Sequence, residues 1–162
     1  GTELHPFPGM TASVCQLRPK SRGTSHISGT KASDAPTIDP RYFSDAYDRE
    51  VVCKAIEKTR ALMDHPLLEE FGPTEHKPGR TQQTPEDLIQ AAGDVATTIF
   101  HPVGTAKMGS DSDPMAVVSD KLEVHGVSGL YVADASIMPT ITSGNTHAPT
   151  VMIAERLSEW LD

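Results

Sequence analysis

The sequence predicts a chain of mixed α/β class, in which helices and short strands follow one another. Two segments with apolar residues at helical spacing, residues 44–65 and 84–97, indicate amphipathic helices. Further along, the short apolar run at residues 130–134 is typical of a buried strand, and the periodic segment 151–161 indicates a buried final helix. Because strands and helices that each bury an apolar face must pack as layers, these segments together indicate the fold class.

Local signals mark the ends of these helices. Ser44 is a candidate N-cap for the first helix, which must end before Pro66. In the second helix, Thr84 is the candidate cap, Pro85 takes the first helical position, and Asp87 stands three residues after the cap, as in a capping box. We expect this second helix to run to about residue 97 and the final helix to follow Pro149.

Short strands are predicted where β-favouring residues lie between turns. Residues 10–19 and 23–29 are predicted to form a strand pair. Two more short strands are predicted near residues 116–118 and 122–124, followed by a glycine turn and the buried strand at 130–134.

Length and composition bound the function. The 162 residues suffice for one domain with its own core, or for parts of a larger one, because single domains usually contain about 100 to 200 residues. Hydrophobic residues make up 37% and charged residues 22%, a balance typical of globular chains. The formal net charge of −8 argues against nucleic acids and anionic membranes as partners, because both require a basic face.

The sequence predicts neither a membrane span nor a metal-binding cysteine motif. No apolar run approaches the roughly 18 residues that cross a bilayer, and the first ten residues lack the order of a secretion signal. The compartment is not identified, although a cytoplasmic location is favoured. Cys15 and Cys53 are the only cysteines and form no CxxC pair, so we expect two buried thiols rather than a disulfide or a zinc site.

Two common kinds of catalytic site are not supported. His101, His125 and His147 are each more than twenty residues apart and form none of the short spacings that metal sites reuse, so no metal site is expected. A serine hydrolase would need GxSxG at a strand-to-helix turn, and the nearest sequence, "TSGNT" at residues 142–146, lacks that pattern.

Two loops remain as candidates for chemistry. One is "HPVGTAKMG" at residues 101–109, and the other, residues 134–150, joins the predicted strand to the final helix. Ligands of α/β folds collect at the carboxyl ends of strands, and a helix N-terminus stabilises an anionic ring there. Asn145 and Thr146 would either contact such a ring or simply cap the helix, and His101 would be either a base or a turn residue. The residues alone leave both interpretations open.

Three motifs resemble those of the glucose-methanol-choline (GMC) flavoprotein oxidoreductases. The family's "HPxGTxxMG", "GVxGLxVxDASIMP" and "GNTxAPTxMIAE" stand here in order, at residues 101–109, 126–139 and 144–155. A weaker resemblance extends over "LRPKSRGTSHIS" and "IDPRYFSD". The resemblance implies the C-terminal portion of a two-domain, choline-dehydrogenase-like enzyme. Residues 1–98 would then be a segment of its substrate domain, and residues 99–162 would return into the FAD-binding domain as its closing strand and helix.

The resemblance also implies an activity and a set of site residues. Members oxidise an alcohol to a carbonyl and pass hydride to FAD. His101 matches the catalytic histidine, and Asn145 matches a second catalytic position that holds His or Asn. Their chemistry suits the task, since an imidazole titrates near neutral pH and an amide donates a hydrogen bond to a developing alkoxide. The matching flavin contacts are Asp134, Ala135, Asn145, Thr146 and His147.

Departures and gaps shape the remaining expectations. Ala106 replaces a cysteine found in many relatives, and Glu123 stands where arginine is common, so substrate preference is less determined than reaction type. The chain contains no GxGxxG fingerprint for the nucleotide of FAD. We therefore expect it to act with an N-terminal FAD-binding chain or fragment of the same enzyme, on a small-molecule alcohol. A hydroxynitrile-lyase-like flavoenzyme and a non-catalytic binding module of the same family are the alternatives.

Overall fold

The computed structural model describes residues 5–161 and has mixed helix and strand content, which confirms the predicted fold class. Its elements, in chain order, are β1 (Thr24–His26), β2 (Thr37–Asp39), α1 (Ala46–Met63), α2 (Pro85–Val95) and α3 (His147–Leu161), with 3₁₀ turns at Pro66–Phe71 and Ala135–Ile137.

The chain divides into two compact units. Of the described residues, the first unit contains 5–16 and 46–96, and the second contains 17–45 and 97–161. The predicted division between residues 98 and 99 concerns the domains of a longer flavoprotein and stays a prediction. Within this chain, residues 17–45 group with the C-terminal unit.

Helices α1 and α2 pack together in the first unit. The buried apolar residues of this unit are Cys53 of α1 and Leu88 and Ala92 of α2. Leu88 and Ala92 are four positions apart, so they lie on the same face of α2. Both helices form where they were predicted, α1 ending before Pro66 and α2 ending at Val95, two residues earlier than expected.

The capping box predicted for α2 is confirmed. The Thr84 hydroxyl accepts a hydrogen bond from the Asp87 amide at 3.2 Å, and the Asp87 carboxylate accepts one from the Thr84 amide at 3.3 Å. Hydrogen bonding of the Asp87 carboxyl, first to the Thr84 side chain and then to the Thr84 amide, holds its pKa below the usual value.

We predict that Thr84→Ala lowers the free energy of unfolding by about 1 kcal/mol, because an amide at the helix start loses its acceptor. Thr84→Ser keeps the hydroxyl and should recover most of that loss. Urea denaturation of the three proteins measures the difference, and an alanine variant as stable as the wild type would show that the cap contributes nothing.

A nearly buried ion pair fixes the loop between α1 and α2. Arg60 donates to both carboxylate oxygens of Glu75 at 2.9 Å, and also to the carbonyls of Gly79 at 2.9 Å and Gln82 at 2.8 Å. The Arg80 guanidinium lies 3.1 Å from the same carboxylate. The Arg60 and Glu75 side chains are 15% and 13% exposed. Arg60 of α1 therefore holds the loop between α1 and α2 in place through four hydrogen bonds.

The predicted strand pair is wrong in its partner. The segment at 23–29 does contain β1, but β1 pairs antiparallel with β2, with Thr24 opposite Asp39. Residues 10–19 contain no strand, and Val14 and Leu17 are exposed there. β-favouring residues form a strand only where a neighbouring strand pairs with them, and the sheet of the described residues contains only β1 and β2.

The strands predicted near 116–118, 122–124 and 130–134 are also wrong as regular strands. Their backbones form isolated bridges, between Val118 and Val124 and between Glu123 and Tyr131. Gly126 and Gly129 turn the chain with φ of 77° and 74°, so the paired segments diverge after single residues. The run at 130–134 contributes only the bridge at Tyr131, and Leu130 is 51% exposed in this chain. Its burial is expected only in the complete enzyme and stays a prediction.

The second unit has a small apolar core. Its buried members come from the loops and from α3: Val118, Leu122, Ile137, Met138 and Ile153. In this chain α3 packs on the core along one narrow stripe, so Ile153 is buried while Val151 and Met152 are exposed. Burial of the whole helix is expected only in the complete enzyme and stays a prediction. The helix begins at His147, not after Pro149 as predicted, because proline is tolerated in the first turn of a helix.

The two cysteines differ. Cys53 is buried, and burial raises the pKa of its thiol, whereas Cys15 is exposed, contrary to the expectation of two buried thiols. Cys15 lies in the segment 10–19, which has no strand to cover it.

Among the described residues, no helix is both long and apolar enough to span a membrane.

Candidate active site

The loop at residues 101–109 is held directly against the second candidate loop. The amides of Ala106 and Met108 donate to the carbonyls of Ser136 and Ile137, at 3.0 and 2.8 Å. Gly104 has φ of 88°, and a Cβ there would lie 3.3 Å from the Met138 carbonyl oxygen. Glycine thus permits both the left-handed turn and the close approach, and the two loops meet through backbone contacts.

His101 contacts the start of α3. Its Nδ1 lies 2.9 Å from Oγ1 of Thr146, a residue 45 positions later in the chain. Thr146 is 7% exposed, whereas His101 is half-buried. The contact occupies one imidazole nitrogen, and Nε2 has no hydrogen-bond partner among residues 5–161. In this arrangement Nε2 stays available to form a hydrogen bond with another molecule or to exchange a proton with it.

Asn145 is exposed at the position before Thr146, and its side chain has no hydrogen-bond partner within the described part of the chain. The structure connects His101 to the Asn145 segment through Thr146, not through a bond between the two predicted catalytic side chains. Their joint action stays a prediction.

Asp134 and Ala135 lie at the 3₁₀ turn that supports the 101–109 loop. The Asp134 carboxylate accepts a hydrogen bond from the Ser136 amide at 2.8 Å and caps this turn, while its own surface stays exposed. Ala135 is half-buried and packs against the core. Both residues therefore have structural roles, and their flavin contacts stay predictions.

Exposed groups border this region. His147 is exposed at the first position of α3, where backbone amides lack intrahelical partners. On the other loop, Ile99 is 55% and Phe100 80% exposed, immediately before His101. The second unit therefore exposes polar groups and amides at the start of α3 and apolar side chains just before His101.

His125 has a role that sequence reasoning missed. Its Nε2 lies 3.0 Å from the Gly109 carbonyl oxygen, and its Nδ1 lies 2.7 Å from a carboxylate oxygen of Asp111. It therefore fixes the end of the 101–109 loop. The sequence offered one signal, a histidine just before the turn at Gly126, but the partners lie sixteen and fourteen residues away.

An ion pair between Lys107 and Asp113 supports the same loop. Lys107 Nζ lies 2.6 Å from a carboxylate oxygen of Asp113, and this hydrogen bond is the main reason that the pKa of Asp113 lies below its usual value. Among residues 5–161, no group of three or more His, Cys, Asp or Glu side chains could hold a metal ion.

This chain belongs to the GMC oxidoreductase family, whose C-terminal domain model matches residues 19–154. It is 40% identical over 151 residues to alcohol dehydrogenase [acceptor] of Pseudomonas putida, covering 93% of this chain and 27% of that protein. It is 42% identical over 151 residues to oxygen-dependent choline dehydrogenase of Citrobacter koseri, with the same coverage. The chain therefore spans about a quarter of the length of these relatives.

Solved structures agree with this assignment. Pyridoxine 4-oxidase from Mesorbium loti matches with a TM-score of 0.81 and 36% identity, over 89% of this chain and 28% of that one. An FAD-dependent oxidoreductase from Chaetomium thermophilum matches with a TM-score of 0.81 and 35% identity, over 90% and 25% of the two chains. The fold is that of the C-terminal portion of these enzymes.

Proposed function

We propose that this chain provides the substrate-facing loops of an FAD-dependent enzyme that oxidises an alcohol CH–OH group to a carbonyl. The observation that carries the proposal is the 2.9 Å contact between His101 Nδ1 and the Thr146 hydroxyl. It brings the histidine of the first loop to the N-terminus of α3, where the polar residues of the second loop begin. Family membership supports the reaction class.

The residues present fit a flavin. An isoalloxazine ring is a flat apolar surface with a polar edge that becomes anionic on reduction, and a helix N-terminus stabilises an anion. α3 has 15 residues and offers the free amides of His147 and Ala148 at its start. We propose that the polar edge lies against the residues Asp134, Ala135, Asn145, Thr146 and His147. When bound, FAD supplies the two-electron acceptor for the hydrogen that leaves the substrate carbon.

His101 and Asn145 have complementary tasks in this proposal. As the C–H bond breaks and its electron pair departs with the hydrogen, the hydroxyl proton passes to Nε2 of His101, which becomes an imidazolium. Asn145, exposed beside Thr146, donates an amide hydrogen bond to the same oxygen while negative charge develops there. The carbonyl product then leaves neutral.

We infer that an N-terminal FAD-binding part, on the same or a separate chain, completes the enzyme. The curated relatives are almost four times as long as the matched region, which covers 27% of them. The described chain also exposes large apolar side chains on α3, among them Val151, Met152 and Leu161, at 46%, 54% and 58%. Large exposed apolar side chains of this kind favour an interface with another part of the enzyme.

The substrate class that we propose is a small primary alcohol. The named substrates of the relatives, choline and pyridoxine, support this class without selecting one member. The net charge of −8 does not by itself favour choline, because a quaternary ammonium is recognised by a local cage of aromatic or acidic side chains.

Anaerobic flavin bleaching tests the proposal. The assembled protein, this chain together with its FAD-binding part, is mixed with choline, aliphatic primary alcohols, benzyl alcohol and pyridoxine, and the visible flavin band is followed. At least one alcohol should bleach the band and yield the matching aldehyde. A flavin that stays oxidised with all of them would indicate a lyase or a binding module, and a protein without a flavin band would contradict the proposal entirely.

A further inference from the structure

We propose that Thr146 is a positioning residue that holds His101 in the tautomer with hydrogen on Nδ1, so that Nε2 is the basic nitrogen. This inference rests on the proposed function for its kinetic consequences. The tautomer itself is a property of the chain and can be observed without turnover.

Thr146 stands at the N-cap of α3, but its hydroxyl has no capping partner at the usual place. Its carbonyl accepts the first helical bond, from the Thr150 amide at 3.0 Å, which defines the cap position. An N-cap threonine usually accepts from the amide two or three positions later. Here the third position is Pro149, which has no N–H, and the amide at the second, Ala148, makes no hydrogen bond to the hydroxyl. The helix therefore leaves the hydroxyl available, and it lies 2.9 Å from His101 Nδ1 instead.

The hydroxyl is also rigidly placed. Thr146 is 7% exposed, and its carbonyl accepts a second hydrogen bond, from the Thr150 hydroxyl at 2.7 Å. About two turns after Thr146 along the helix, Ile153 is buried in the core of the unit. His101 is held from the other side by the backbone bonds of its loop to Ser136 and Ile137. Both partners are thus fixed by groups outside the contact.

The chemistry of the two nitrogens decides which tautomer is useful. If Nδ1–H donates to Oγ1, Nε2 keeps its lone pair and accepts the substrate proton, after which Nδ1–H still donates to the same oxygen. If Oγ1 donates to Nδ1 instead, Nε2 carries the hydrogen and cannot act as a base. A hydroxyl that accepts from Nδ1 therefore supports the histidine both before and after proton transfer.

The test compares Thr146→Val with Thr146→Ser in the assembled, flavin-loaded protein. Valine keeps the shape and removes the hydroxyl, and we expect the maximal rate of flavin reduction to fall by about tenfold to a hundredfold, with the substrate concentration for half-maximal rate changing little. Serine restores the oxygen and should recover most of the rate. Thr59→Val is the matched control, since it removes a threonine hydroxyl that bonds only its own helix α1, and it should leave the rate unchanged.

A second readout separates this inference from the proposed function. The ¹⁵N signals of the His101 ring should indicate the Nδ1–H tautomer in the wild type and the Nε2–H tautomer in Thr146→Val. If no alcohol reduces the wild-type flavin, the proposed function fails, and the ring signals alone then decide the role of Thr146. If His101→Ala is slow but Thr146→Val reacts as fast as the wild type, or if the ring holds Nε2–H in the wild type, the inference is wrong. Should valine prevent folding, Thr146→Ala removes the same hydroxyl with a smaller side chain.

Discussion

Replacing His101 with alanine should slow flavin reduction by alcohol by about 10²-fold to 10⁴-fold while leaving the flavin bound, because general base catalysis by a positioned histidine contributes that much. The imidazole is half-buried and is held through Nδ1 at 2.9 Å from Thr146, so its loss removes a proton acceptor without opening the core. Stopped-flow measurement of the flavin band under anaerobic conditions gives the rate directly, free of any later step.

His26→Ala is the matched control for that substitution. His26 is exposed on β1, outside the two loops, so its removal should leave both flavin content and the reduction rate unchanged. Equal rates for His101→Ala and wild type would return His101 to the status of a turn residue. A loss of flavin in His101→Ala would instead assign it to cofactor binding.

Replacing Glu75 with glutamine should lower the free energy of unfolding by on the order of 3 kcal/mol, because it breaks an ion pair that is largely withdrawn from water. The two side chains are 15% and 13% exposed, and both Glu75 oxygens accept from Arg60. An amide can accept only one of these bonds. Urea denaturation at pH 7 gives the difference.

Asp64→Asn is the control for this second prediction. It makes the same chemical change at a carboxylate paired with Arg80, but those side chains are 57% and 48% exposed. Solvent-screened pairs contribute about 1 kcal/mol or less. If the two substitutions cost the same, burial of the Arg60–Glu75 pair adds nothing to stability.

The pH dependence of the Glu75 effect has a definite sign. The hydrogen bond from Arg60 is the main reason that the pKa of Glu75 in the folded protein lies below its usual value. A carboxyl with a depressed pKa stabilises the folded state above its unfolded pKa, about 4.3, and loses that contribution as the pH falls through its folded pKa. The stability gap between wild type and Glu75→Gln should therefore be full at pH 7 and close progressively below about pH 4. A gap that stays constant to pH 3 would contradict the assignment.

Sequence patterns predicted the helices well because a helix is built from local interactions. The capping box of Thr84 and Asp87 involves residues three positions apart, so it is visible in the sequence, and the structure has both of its bonds. The strands were predicted poorly for the opposite reason. β1 pairs with β2, not with residues 10–19, and pairing depends on which segment reaches it across a turn.

The sequence predicted the residues of the candidate site but not the contacts between them. His101, Asn145 and Thr146 were all identified from motifs, yet the motifs gave no contact between them. The contact of His101 with Thr146 spans 45 residues. Its one local signal is Pro149, which lacks the amide that an N-cap threonine three positions earlier would otherwise use.

The sequence by itself determined helices α1 and α2, the Thr84 cap and the membership of the GMC oxidoreductase family, since each depends on residues close together or on ordered motifs. The tertiary structure alone decided that the Thr146 hydroxyl meets His101, that His125 fixes the end of the 101–109 loop, and that the Arg60–Glu75 pair is nearly buried. These features join residues at least fifteen positions apart. Such contacts form only when burial of apolar surface brings distant segments of the chain together, which no local sequence pattern encodes.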